Sequence, residues 1–188
     1  GVGKTRLAEE LTHAAAARHG ALILAGRCVP YGESNAWAPL ADGLRGVLDV
    51  DLDATDDATS ALTAELARLV GVAVDDVEIA AVTPGILHLL GMEGELQGLD
   101  PAGARDEAAR AYRALLQMLA ARQPVVVWLT DLHWADDVVR SLVDAMLSRL
   151  GRLPVLVMAT ARHELFDSWV PKAGRTNQVF VTLDPLSR

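Results

Sequence analysis

Gly1-Val2-Gly3-Lys4-Thr5-Arg6 opens the chain, and a helical pattern follows at once over 5–19, with Leu7, Leu11, Ala14 and Ala15 at helical spacing. Glycines let a backbone curl until several N–H groups point at one anion, and a helix starting beside them adds the positive end of its dipole. A lysine at that junction reaches the β- and γ-phosphates of a nucleoside triphosphate, and the hydroxyl of the next residue can ligate Mg²⁺. The run is the second half of the phosphate-loop pattern G-x-x-x-x-G-K-S/T, whose first glycine would fall three residues before Gly1. Gly1, Val2, Gly3, Lys4, Thr5 and Arg6 are therefore candidate nucleotide-binding residues, with Thr5 a candidate metal ligand and Lys4 a candidate catalytic cation.

Working outward, four short apolar runs, 21–25, 125–129, 155–159 and 179–183, read as strands. Uninterrupted apolar runs of this length suit strands buried on both faces, as in a parallel sheet covered by helices. Helical patterns alternate with them, the clearest over 136–150, where Val139, Leu142, Val143, Met146 and Leu150 share a stripe and Asp136 is placed to cap it. This alternation predicts an α/β doubly wound fold. The stretch 36–122 differs: it holds no convincing strand and four helical patterns, at 37–48, 59–70, 77–90 and 104–121. Within it, 49–57 is an acidic break with five aspartates, read first as a solvated loop and second as a partner-binding patch.

A second chemical signal is Val125-Val126-Val127-Trp128-Leu129-Thr130-Asp131, an apolar strand that ends in an acid. A carboxylate at the carboxyl end of a strand beside a phosphate loop holds Mg²⁺, directly or through water, so Asp131 is a candidate metal ligand and catalytic residue. A third is Met158-Ala159-Thr160-Ala161-Arg162, which ends another core strand on the edge where open α/β folds bind ligands. Arg162 is placed there to read the γ-phosphate; a plain surface arginine is the competing reading.

Composition narrows the function. The 188 residues carry 17 Lys+Arg against 25 Asp+Glu, a net charge of −8, which argues against wrapping nucleic acid. The longest purely apolar runs are about five residues, against the ~20 that span a bilayer, so no membrane segment is expected. One cysteine, Cys28, excludes an internal disulfide and points to a reducing, cytoplasmic setting; a small buried residue is its expected role, not a nucleophile.

Taken together, the phosphate-loop half, Gly26-Arg27-Cys28-Val29-Pro30-Tyr31-Gly32-Glu33-Ser34, Thr130-Asp131-Leu132-His133-Trp134-Ala135-Asp136, Ala159-Thr160-Ala161-Arg162 and Leu183-Asp184-Pro185-Leu186-Ser187 resemble, in that order, a known group. It is the ATPase module of LuxR-type large ATP-binding transcriptional regulators and ATPase-linked class III adenylate/guanylate cyclases, within the AAA-like, STAND-type P-loop NTPases. The resemblance implies an additional-strand P-loop sheet in which the strand feeding the phosphate loop lies between the last two strands of the chain. On that reading 1–188 is a single incomplete domain: its first strand is missing, 36–122 is a helical insertion, and the lid and effector domains lie elsewhere. The implied function is an ATP-binding, Mg²⁺-dependent switch with slow hydrolysis and ATP-dependent self-association. Many relatives carry two acids where this chain has Thr130-Asp131, which removes the carboxylate that would polarise the attacking water; Glu33, Asp136 and Asp137 are substitutes by position. His133 reads either as catalytic or, as favoured, as packing for its loop. A degenerate, non-hydrolysing nucleotide-binding module is the alternative, and a small-molecule kinase the weaker one, since no acceptor site or Arg-rich lid is visible.

Overall fold

The computed structural model describes residues 3–30, 36–92, 95–149, 152–169 and 179–183. The chain runs through helix α1 (Lys4–His19), strand β1 (Leu22–Arg27), and helices α2 (Ala38–Arg45), α3 (Ala58–Val70), α4 (Val77–Leu89) and α5 (Pro101–Ala120). Strand β2 (Val125–Thr130), helix α6 (Asp137–Arg149), strand β3 (Val155–Ala159) and the short helix α7 (Leu165–Ser168) complete it. The strands form a parallel sheet in the order β1-β2-β3. In register, Leu22 lies opposite Val125 and Arg27 opposite Thr130, while Val125 lies opposite Val155 and Leu129 opposite Ala159. Because parallel strands point the same way, all three carboxyl ends reach one edge.

Every described element between β1 and β2 is helical. Aspartates set where these helices begin. The Asp57 carboxylate accepts from the Ser60 N–H at 2.9 Å, Asp76 from the Glu78 N–H at 2.8 Å, and Asp100 from the Gly103 N–H at 2.7 Å. Each satisfies an amide that the first turn leaves without an intrahelical partner. The acidic break is thus not merely solvated loop: Asp57 caps α3, and Asp51 caps a 3₁₀ turn at Leu52–Ala54, accepting from the Asp53 N–H at 3.1 Å. Beyond the caps, the helices close a dry core in which Leu44, Leu62, Leu66, Ile79, Ile86, Tyr112 and Leu115 are fully buried. Arginines tie helix ends across this core, Arg45 to the Leu90 carbonyl at 2.7 Å and Arg110 to the Ala81 carbonyl at 2.8 Å.

The helical block meets the sheet through α2, which packs against β1. Gly26 makes that approach feasible, since a Cβ there would run into the Pro39 carbonyl oxygen. α6 contributes Val139, Leu142, Val143 and Met146 to the core, as expected from sequence, while Leu150 of that stripe lies outside the described residues. Its start is also as expected, with Asp136 accepting from the Val138 N–H at 2.9 Å.

Two expectations are corrected. Residues 179–183 form no strand: no described strand pairs with them, and Val179, Phe180 and Val181 are exposed. An apolar run becomes a strand only when a neighbour accepts its ladder hydrogen bonds. In α1 the inward residues are Ala8 and Thr12, whereas Leu7 and Leu11 are 42% and 52% exposed. The helix therefore lies on the sheet by its small residues and turns its larger apolar stripe outward. Among the described residues no helix is long and apolar enough to cross a membrane.

Candidate functional site

The carboxyl edge of the sheet gathers the candidate residues from four elements. α1 brings Lys4, preceded by Gly3 at φ 84°, a left-handed conformation that suits glycine. The Lys4 ammonium donates to the Ala161 carbonyl at 2.7 Å, so the lysine of the loop reaches the segment just past β3. Thr5 and Arg6 lie exposed on the first turn of α1. Gly1 and Val2 fall outside the described residues, as does Glu33.

Asp131 follows β2 directly. It adopts φ 56° and ψ 38°, the single positive φ of a non-glycine among the described residues. Left-handed backbone costs a non-glycine roughly 1–3 kcal/mol, and Asp is among the residues that tolerate it best. Thr160 braces this geometry. Its hydroxyl accepts from the Asp131 N–H at 3.3 Å and its carbonyl from the Leu132 N–H at 2.9 Å. The polar residue ending β3 therefore aims the carboxylate that ends β2.

That carboxylate already has a partner. Arg27, at the end of β1, places Nε and Nη2 each 3.2 Å from Asp131 Oδ2. Sequence reasoning assigned Arg27 no role. The signal was its place as the last residue of an apolar strand, since parallel register then sets it beside the last residues of β2. The pair is half open to solvent, so it is weak, worth about 0–1 kcal/mol. It can yield to a stronger cation.

Thr130, where relatives carry a second acid, turns toward β1, its hydroxyl donating to the Gly26 carbonyl at 3.4 Å. The positional substitutes are committed elsewhere. Asp136 caps α6, and Asp137 stands exposed, 3.6 Å from Arg140 on its own helix. Arg162 lies over the Trp134 ring, 5.8 Å from its centroid, and that ring packs against His133 with centroids 4.9 Å apart.

His133 packs beside Trp134 in its loop. Nδ1 and Nε2 are both sealed from solvent and neither has a hydrogen-bond partner. Such orphaned groups cost about 1–3 kcal/mol each, and at a native site they call for an explanation. Burial pushes the imidazole below its ordinary range; Arg162 and Lys4 act in the same direction, while Asp131 and Glu164 oppose. Cys28, just past β1, is buried, and its thiol is pushed up to about 11, chiefly by burial and then by Asp131. A nucleophilic role would need the opposite shift.

The donor set fits a magnesium nucleotide. Lys4, Arg162 and the start of α1 supply positive charge where phosphates would lie, and Asp131 supplies one hard oxygen ligand. No group of three His, Cys, Asp or Glu that could cage a metal occurs among the described residues. A single carboxylate suits Mg²⁺, which takes one or two protein ligands and completes its shell with phosphates and water.

The family model for the AAA ATPase domain matches residues 1–158. The uncharacterized protein R02095 of Rhizobium meliloti (strain 1021) is 28% identical over 186 residues; the match covers 98% of this chain and 17% of that protein, so the chain spans about a sixth of its length. No solved structure matches significantly. With the family model covering most of its length, the chain belongs to the AAA ATPase domain family, a nucleotide-binding ATPase module.

Proposed function

We propose that the chain is the Mg²⁺-dependent ATP-binding switch of a multidomain bacterial signalling or transcription regulator, and that it hydrolyses ATP slowly. The observation that carries this is the reach of Lys4 to the Ala161 carbonyl, 2.7 Å away, which sets the loop cation against the edge where Asp131 and Arg162 emerge. Lys4 and the N–H groups opening α1 would bind the β- and γ-phosphates, and Arg162 would meet the γ-phosphate. Asp131 and Thr5 would hold Mg²⁺, which supplies neutralisation of phosphate charge when bound. The metal would compete with Arg27 for Asp131, so the pair holds the acid in place when no metal is bound. With Thr130 turned away, hydrolysis should run well below the ~1–10³ s⁻¹ usual for enzymes. Slow turnover suits a switch, where the bound state lasts long enough to be read by attached domains.

The length of the Rhizobium relative supports a multidomain setting. We take 1–188 as a single incomplete domain with 36–122 as its helical insertion. Leu7, Leu11 and Leu156 are exposed, and among the described residues no strand pairs with the outer edge of β3, where a further strand would add. A cytoplasmic location and ATP-dependent self-association belong to the same proposal. The Arg27–Asp131 pair also fits a degenerate module whose acid no longer takes metal. Titration calorimetry separates the two: the switch binds ATP more tightly with Mg²⁺ than with EDTA, and the degenerate module binds equally in both.

A further inference from the structure

Two arginines stand at the carboxyl edge of the sheet, and they are held in different ways. Arg27 spends donors on a carboxylate, with Nε and Nη2 each 3.2 Å from Asp131 Oδ2. Arg162 lies instead over an aromatic face, its guanidinium carbon 5.8 Å from the centroid of the Trp134 ring. Among the described residues no carboxylate lies within ion-pair distance of it. An ion pair offsets the charge and occupies N–H groups. A π face attracts the cation yet leaves its charge in place and most of its five donors open to an anion. Trp134 is also fixed relative to the end of β3. Its own N–H donates to the Asp131 carbonyl at 2.9 Å, and the Leu132 N–H donates to the carbonyl of Thr160, two residues before Arg162, at 2.9 Å. The ring is 39% exposed and Arg162 is exposed, so a ligand from solvent can reach both.

We propose that Trp134 is a positioning residue for recognition of the terminal phosphate: its ring holds the Arg162 guanidinium at the phosphate edge, charged and with donors open, before ATP arrives. This rests on the reading above in which Arg162 meets the γ-phosphate. Trp134 touches no phosphate itself and acts through the arginine. A long side chain loses rotamer freedom when it clamps an anion, and one already resting on a ring loses less. ADP lacks the phosphate that Arg162 would meet, so the gain is confined to ATP. The Trp134 ring thereby contributes to the preference of the site for a triphosphate over a diphosphate.

The test measures Kd for ATP and for ADP, each with Mg²⁺, by titration calorimetry. The wild-type chain is compared with Trp134→Leu, Trp134→Phe, Arg162→Gln and the double variant of Trp134→Leu with Arg162→Gln, and thermal unfolding without nucleotide checks that each is folded. Trp134→Leu keeps apolar bulk and removes the π face. Its ATP affinity should fall by roughly two- to fivefold, the range of an exposed cation–π contact, with ADP affinity unchanged. Trp134→Phe keeps a weaker π face and should show a smaller loss, again for ATP alone; if Trp134→Leu unfolds, this variant decides. Arg162→Gln should lose roughly tenfold or more for ATP. Adding Trp134→Leu to it should cost nothing further, because the ring then has no cation to hold. Unchanged ATP affinity in Trp134→Leu overturns the proposal. So do equal losses for ATP and ADP, or a full additional loss in the double variant, either of which marks a structural role. If Arg162→Gln weakens ATP selectively and Trp134→Leu does not, the positioning role fails while the γ-phosphate reading survives. If Arg162→Gln leaves the preference for ATP unchanged, or the wild type binds neither nucleotide, both fail.

Discussion

The helical block between β1 and β2 and the sheet side, with α1, β3 and residues 179–183, solve the burial problem in opposite ways. In the block, leucines from four helices are removed from water completely, and aspartate caps and arginine bridges finish the helix ends. On the sheet side, Leu7, Leu11, Leu156, Val179 and Phe180 stay exposed, although each has the side chain of a core residue. Composition does not distinguish the regions; partners do. The block carries its own partners in sequence, whereas among the described residues no strand pairs with the outer edge of β3. The candidate site lies on the carboxyl edge of that sheet, so its chemistry depends on the less closed region.

This contrast breaks most readily under truncation. Leu66→Ala, in the block, should lower unfolding free energy by about 2–5 kcal/mol, from lost burial and the cavity left behind. Leu156→Ala, 54% exposed on β3, should stay within about 0.5 kcal/mol. Urea unfolding curves with matched slopes would measure both, and equal losses would mean that the sheet face is covered in solution.

Cys28 probes the seam between the regions. With its thiol pushed up to about 11, alkylation of the folded protein at pH 8 should run roughly 100-fold slower than in urea. The sign for stability follows. The folded state holds its proton more tightly, so the contribution is complete below the unfolded pKa and is lost as pH climbs through about 11. Fast labelling of the folded chain would place the end of β1 in the open region.

The smallest effect concerns Arg27. Since the pair with Asp131 is half exposed, Arg27→Gln should lower the Mg²⁺ concentration needed for nucleotide binding by only about two- to fivefold. A loss of binding instead would make Arg27 a direct ligand of the nucleotide.

Much of this was legible in the residues. The apolar runs at 125–129 and 155–159 became β2 and β3 within a residue, and 21–25 became β1 shifted forward by a residue or two. Periodicity found every helix of the block, because amphipathic stripes there meet partners that the same stretch supplies. It misread 179–183 and the inward face of α1, since pairing and helix rotation are set by neighbours and not by the segment itself. Asp131 and Arg162 lie on one edge because the strands they follow are parallel, and Lys4, from α1, reaches that edge through the Ala161 carbonyl. The Arg27–Asp131 pair was hidden, for it needs a register between strands nearly a hundred residues apart.

The central claim is that this edge binds a magnesium nucleotide through Lys4. Thermal or denaturant unfolding with and without Mg-ATP tests it most directly, in the wild type and in Lys4→Ala. At 100 times Kd the ligand should add about 2.7 kcal/mol to the wild type, and little or nothing to Lys4→Ala or in the presence of EDTA. Equal stabilisation of wild type and Lys4→Ala, or none in either at millimolar Mg-ATP, would contradict the account.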